Sequence, residues 1–218
     1  MWQLCQGDEL FTLHQYPAVI GAVAVSRDGR ILAVQTGWGG KVALWDLTTK
    51  RPITEFPDAA FKAVAFSPTG SLLAVASRNA HGDPGVDFWD VNARKLRSTL
   101  NHASAVRSLA FSPDGKLLAI FDDKGTNAVV EWAANHTLTN FSALPPRRGE
   151  AGVVVFSPDG NRLAIGEDYG RIRVVNWRTG AEVPLPSQTS DGVTALVFSP
   201  TAELLAAGFA YTSGTIRL

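Results

Sequence analysis

Four histidines, His14, His81, His102 and His136, are the side chains of this sequence best suited to metal binding or acid–base work. Their placement supports neither. They fall in four separate stretches, without the paired spacing of metal ligands and without an acidic partner in a motif, whereas catalysis needs titratable groups that converge. Five serines offer a second possibility, because each follows Phe or Val and opens a Ser-Pro-Asp-Gly run or a variant of it. A nucleophile or a phosphosite is needed once, and a turn is needed many times. Recurrence at five equivalent places therefore reads as turn chemistry. Neither a G-x-S-x-G elbow nor a phosphate-binding glycine loop occurs. No catalytic residue, metal site or cofactor is predicted.

The elements that carry these serines form a repeat. The five-residue cassettes are Val25 to Gly29, Phe66 to Gly70, Phe111 to Gly115, Phe156 to Gly160 and Phe198 to Ala202, and their serines are spaced by 41, 45, 45 and 42 residues. A period in that range marks a modular repeat fold. Ser, Pro and Asp suit a type I turn, and Gly supplies the left-handed residue that follows it. Ala202 stands where Gly is wanted, so the fifth turn is expected to be altered or looser. Apolar runs flank each cassette (Val106 to Phe111 and Leu117 to Ile120 around the third), as in strands covered on both faces. A third strand follows (Lys41 to Trp45, Gly85 to Trp89, Arg171 to Val175), then a short fourth (Pro52 to Phe56, Lys95 to Leu100). Four strands per unit of this length predict an all-β fold, a β-propeller of antiparallel four-stranded blades.

Trp45-Asp46 and Trp89-Asp90, after the third strand and before the fourth, resemble the signature of the WD-repeat (WD40) family. Asn101-His102 resembles that family's Gly-His pair ahead of a first strand. The resemblance covers essentially the whole chain and implies a propeller, commonly of seven blades. The units have drifted: Val-Glu131-Trp132 and Val-Asn176-Trp177 put Val at the Trp position, so Trp132 and Trp177 are not the signature tryptophans. The family's polar network of His, Ser, Asp and Trp is complete in no unit. His102 fits its His position, but the Asp position of that unit falls on Lys124, with Asp123 one residue early. Tyr16, Pro57, Arg147 and Thr189 fill the other His positions.

Residues 1–218 read as a single propeller or partial propeller, with units at roughly 18–56, 60–100, 105–141, 151–185 and 192–218, the last continued by 1–13. Trp2 to Leu13 match the end of a third strand and a fourth, and Gly214 to Leu218 match the start of a third. A closed five-bladed ring would split one strand between the ends. The favoured expectation is a segment of a longer propeller, whose open ends would promote self-association.

With 20 basic and 20 acidic residues the formal net charge is zero, which gives no bulk drive toward nucleic acid or an anionic membrane. One cysteine excludes an internal disulfide framework and suits a reducing compartment. No apolar run has the length of a membrane span, and the N-terminus lacks a signal-peptide pattern, so a cytoplasmic location is expected.

The loops between second and third strands vary most, and in the resembled fold they share a face with the segments holding Tyr16, His102 and Arg147. That face is the expected partner-binding surface, carrying Tyr16, Trp38, Arg78, His81, Phe121, Arg147, Arg148, Tyr169, Phe209 and Tyr211. Aromatic and Arg side chains are the usual anchors of protein interfaces. The competing reading of each aromatic is packing between blades. Arg147-Arg148-Gly149 resembles the phosphoinositide-binding motif of a WD-repeat subfamily, but Glu150 opposes an anion site, and a solvated loop is the simpler reading. The resemblance implies a non-catalytic scaffold for a protein or peptide partner. The alternatives are the sensor or scaffold region of a larger signalling protein, and a phosphoinositide binder.

Overall fold

The computed structural model describes residues 2–3, 8–9, 20–36, 40–79, 81–124, 126–142, 152–183, 185, 192–201, 203–209 and 216–217. Apart from a 3-10 turn at Asp168–Gly170, every regular element among them is a strand. Two short strands, β1 (Trp2–Gln3) and β2 (Asp8–Glu9), pair with each other. The first blade contains β3 (Ile20–Val25), β4 (Ile31–Thr36), β5 (Gly40–Asp46) and the start of β6 (Arg51–Phe66). The end of β6, β7 (Leu72–Arg78), β8 (Pro84–Asp90) and β9 (Lys95–Asn101) form the second. The third is β10 (Val106–Phe111), β11 (Leu117–Asp122), β12 (Thr126–Glu131) and β13 (His136–Ser142). The fourth is β14 (Val153–Phe156), β15 (Arg162–Gly166), β16 (Ile172–Asn176) and the short β17 (Glu182–Val183). The fifth has three described strands, β18 (Val193–Phe198), β19 (Leu205–Phe209) and β20 (Ile216–Arg217). Pairing is antiparallel and sequential throughout, as in a meander.

One junction differs from the sequence expectation. The fourth strand of the first blade and the first strand of the second were expected to be separate, but β6 runs unbroken for 16 residues. The backbone of Ala59 pairs with Gly40 on one side and Ser77 on the other, so the crossing between blades stays extended and joins seven strands into one sheet. No glycine interrupts this segment to turn it. Gly40 makes the pairing possible, since a Cβ there would lie 1.4 Å from the Thr36 carbonyl oxygen.

The core lies between blades. Counted from the cassette serine, residues one and three before it and six and eight after it face the preceding blade. In the third blade Leu109, Leu118 and Ile120, with Phe111, meet Leu72, Ala74, Val86 and Phe88 of the second. The residue two before and those five and seven after face the following blade. Ala33, Ala74, Ala119 and Ala164, seven after, are all essentially inaccessible, and this small side chain lets the sheets approach closely. The same positions build each successive interface. First strands β3, β6, β10, β14 and β18 neighbour one another in series, the arrangement of a propeller's inner ring.

Candidate functional site

Because the strands alternate in direction, each blade has two ends with different chemistry. At one end lie the cassettes and the turns from third to fourth strand. The cassette serine is buried in the first four units. Its hydroxyl accepts the backbone N–H five residues on (Ile31 at 2.9 Å, Leu72 at 3.1 Å, Leu117 at 2.9 Å, Arg162 at 2.9 Å). It donates to the aspartate two residues on, to Asp28, Asp114 and Asp159. The serine hydroxyl, ahead of the backbone N–H at Arg30, Lys116 or Asn161, holds each carboxyl below the usual aspartate range. Gly29, Gly70, Gly115 and Gly160 each sit at φ between +71° and +73°, a conformation that favours glycine. In the fifth unit the Ser199 hydroxyl likewise accepts the Leu204 N–H, and the Ser199 backbone N–H donates to the Leu204 carbonyl, while Ala202 is outside the described residues. Pro68 and Pro113 rest on the glycine of the next cassette, 3.3 Å and 3.5 Å from where a Cβ on Gly115 and Gly160 would be.

Trp132 and Trp177 belong to this end. Each indole N–H donates at 2.9 Å to the cassette glycine carbonyl 17 residues earlier, Gly115 or Gly160, and so pins the turn from behind. The equal 17-residue offset was a signal available in the sequence. Asp46, Asp90 and Asn176 cap the following turn by accepting backbone N–H groups. The Asp of the Trp-Asp pair is thus a turn cap, and Asn176 performs the same task. A groove of about 140 Å³ lies between the third and fourth cassettes, with Asp114, Asp159 and Arg178 on its walls. Arg178 is stacked 4.0 Å over Trp177 and donates to Asn161.

The other end carries the variable loops. His102 contacts Asp122 through Nε2 at 3.1 Å, and its backbone N–H donates to the Pro84 carbonyl of the second blade. The expected Asp position at Lys124 is corrected accordingly: the partner is Asp122, two residues earlier, while Asp123 is engaged with the backbone N–H and carbonyl of Ala105. His81 lies in an exposed turn, His136 opens strand β13, and His14 is outside the described residues.

The predicted partner-binding residues divide into three groups. Arg78 and His81 are exposed on one stiffened loop: Asn79 Oδ1 accepts the backbone N–H of both His81 and Asp83, and Arg78 donates to the Gly82 carbonyl at 2.7 Å. Tyr169 is 54% exposed with φ +59°. Phe121 is fully buried against the fourth blade, where Gly152 makes room for its ring, and Phe209 is buried beside Val193 and Leu196. Tyr16, Trp38, Arg147, Arg148 and Tyr211 lie outside the described residues. Near Tyr169, the buried Glu167 carboxylate stands 3.7 Å from Arg171 and 3.8 Å from Arg173. Among the described residues no group of three His, Cys, Asp or Glu could hold a metal ion, and no helix is long and apolar enough to cross a membrane.

Residues 6–123, more than half of the chain, match the family model described as eukaryotic translation initiation factor eIF2A. The chain belongs to the eIF2A family. Residues 183–218 match the WD domain, G-beta repeat, so this eIF2A-family member is a WD-repeat β-propeller protein. No curated protein matches it. Among solved structures it is similar to Kuenenia stuttgartiensis hydrazine synthase, with a TM-score of 0.73 and 20% identity over 94% of this chain. The eIF2A-family chain spans 58% of that chain's length, and at this identity the likeness is one of fold.

Proposed function

We propose that this eIF2A-family propeller is a non-catalytic platform that binds a protein or peptide partner on the end carrying the loops between second and third strands. The observation that supports this most is Tyr169. It is a large aromatic with more than half of its surface open, held in a left-handed backbone that non-glycine residues rarely adopt. An exposed, rigid aromatic of this kind is a common interface anchor. Arg78 and His81 are presented on a loop already ordered by its own hydrogen bonds, which lowers the entropy lost on binding. The opposite end repeats the same bonds in blade after blade, so its polar groups are engaged in holding turns.

A photo-crosslinking side chain placed at Tyr169, with the same group at exposed Ala133 on the cassette end as control, tests the reading in cells of the source organism. A partner captured at Tyr169 and not at Ala133 is expected. With the purified pair, Tyr169→Ala should weaken binding at least tenfold, about 1.4 kcal/mol or more. Capture only at Ala133, or unchanged affinity in Tyr169→Ala, would overturn the proposal.

A further inference from the structure

The cassette end is not uniform in charge. Over the cassettes with the residue after each, and the turns from third to fourth strand, the first two blades carry six cations, Arg27, Arg30, Lys50, Arg51, Arg94 and Lys95, against three carboxylates, Asp28, Asp46 and Asp90. The same positions of the third and fourth blades carry two cations, Lys116 and Arg178, against three carboxylates, Asp114, Glu131 and Asp159. All six cations of the first two blades are exposed. Their exposure does not come from a missing neighbour, since the third blade, packed on both sides, exposes the equivalent Asn135 and His136. The second cassette also lacks the carboxylate of the first, third and fourth: Thr69 stands at the aspartate position and its hydroxyl bonds to Ser67 and Ser71. The backbone marks the same two basic turns. Lys50 and Arg94 occupy the left-handed position, at φ +58° and +55°, where the third and fourth blades have Asn135 and Gly180. Asn and Gly suit that conformation, and a long side chain is strained in it. The turns themselves are closed by Asp46 and Asp90, which accept backbone N–H groups, so closing them does not require Lys or Arg. In both blades a basic pair therefore stands where turn chemistry alone selects against its first member.

We propose that this surface binds an acidic segment of a partner protein, its carboxylates laid across the turns of the first and second blades. The excess of positive charge is local, on a chain whose formal net charge is zero, so it selects a carboxylate-rich stretch by position and does not draw polyanions to the whole molecule. The guanidinium forks of the arginines match carboxylates with paired N–H bonds. A single-stranded nucleic acid would need stacking platforms as well, and among the described residues of these two blades no aromatic side chain is exposed. The surface lies at the end opposite Tyr169, so it is a contact area separate from the one proposed there.

Fluorescence anisotropy of a labelled oligoglutamate, titrated with the purified chain, is the test. Saturable binding that weakens with added salt is expected. Lys50→Gly with Arg94→Gly should weaken it about fivefold. That variant should melt no lower than the wild type, because glycine fits the left-handed backbone at both positions. Lys116→Asn with Arg178→Asn removes the same charge from the other half of this end and should leave binding unchanged. Should the glycine variant misfold, Arg51→Gln with Lys95→Gln gives the same comparison. Absence of binding, or an equal loss in both pairs of variants, would overturn the proposal. So would an oligouridylate of equal length that binds more tightly than the oligoglutamate, since the surface would then be one for nucleic acid.

Discussion

The cassette end and the loop end of the same blades are held in opposite ways. At the cassette end one bonding scheme is copied from unit to unit: a buried serine, a backbone N–H five residues on, an aspartate or threonine two residues on, and a left-handed glycine. At the loop end the side-chain bonds of the described residues differ from blade to blade. The position ten residues after the cassette serine is Thr36, Ser77, Asp122, Glu167 or Phe209. Repetition marks the end that stabilises the fold, and variation marks the end free to acquire recognition. Local rules are most often broken where function resides.

The largest effect that sharpens this contrast comes from Phe121, an aromatic at the loop end whose ring is directed into the interface with the fourth blade. Phe121→Ala should destabilise the protein by about 3–5 kcal/mol in urea unfolding. Partner affinity measured under native conditions should stay unchanged, the reverse of the pattern expected for Tyr169→Ala. A small stability loss with a large affinity loss would place the ring at the partner surface and not in the core.

A smaller effect of opposite sign is expected at Asn127. Its side chain is inaccessible, and among the described residues neither amide atom has a hydrogen-bond partner. The same ladder position is Val42 in the first blade and Val86 in the second, both inaccessible. An unsatisfied buried polar group costs about 1–3 kcal/mol, so Asn127→Val should stabilise by an amount of that order in thermal or urea unfolding. Loss of stability would show that the amide is satisfied in solution, by water or by a neighbouring loop.

The cassettes and strand pattern were legible because turn chemistry and two-sided burial act locally and recur. The unbroken β6 was not legible, since whether a chain turns between Phe56 and Val64 depends on Ala59 finding partners in two different blades. The same limit applies at the candidate site. Tyr169, Phe121 and Phe209 are alike as loop-end aromatics in the sequence, and only blade packing separates the exposed one from the two buried ones. The His102–Asp122 pair lies two residues before its expected position, because which of the adjacent Asp122 and Asp123 meets His102 is decided by the pairing of Asp122 with Val106 and of Asp123 with Ala105.

The smallest predicted effect isolates the cassette end by pH. The Asp114 and Asp159 carboxyls are held below the ordinary aspartate range in the folded protein, first by the serine hydroxyl and then by a backbone N–H. A carboxyl whose folded pKa is depressed contributes stability that is fully present above its unfolded value and is lost as pH falls through the folded value. Replacing both with Asn removes that contribution while keeping an acceptor for the serine. The double variant should therefore melt lower than the wild type at neutral pH, and the gap should narrow as pH falls through and below the ordinary aspartate range. Both groups are largely exposed, so the gap is modest. Melting curves that stay parallel down to acid pH would mean that the serine bond, and not the carboxylate charge, carries the turn. The repeated end would then owe its stability to neutral hydrogen bonds alone.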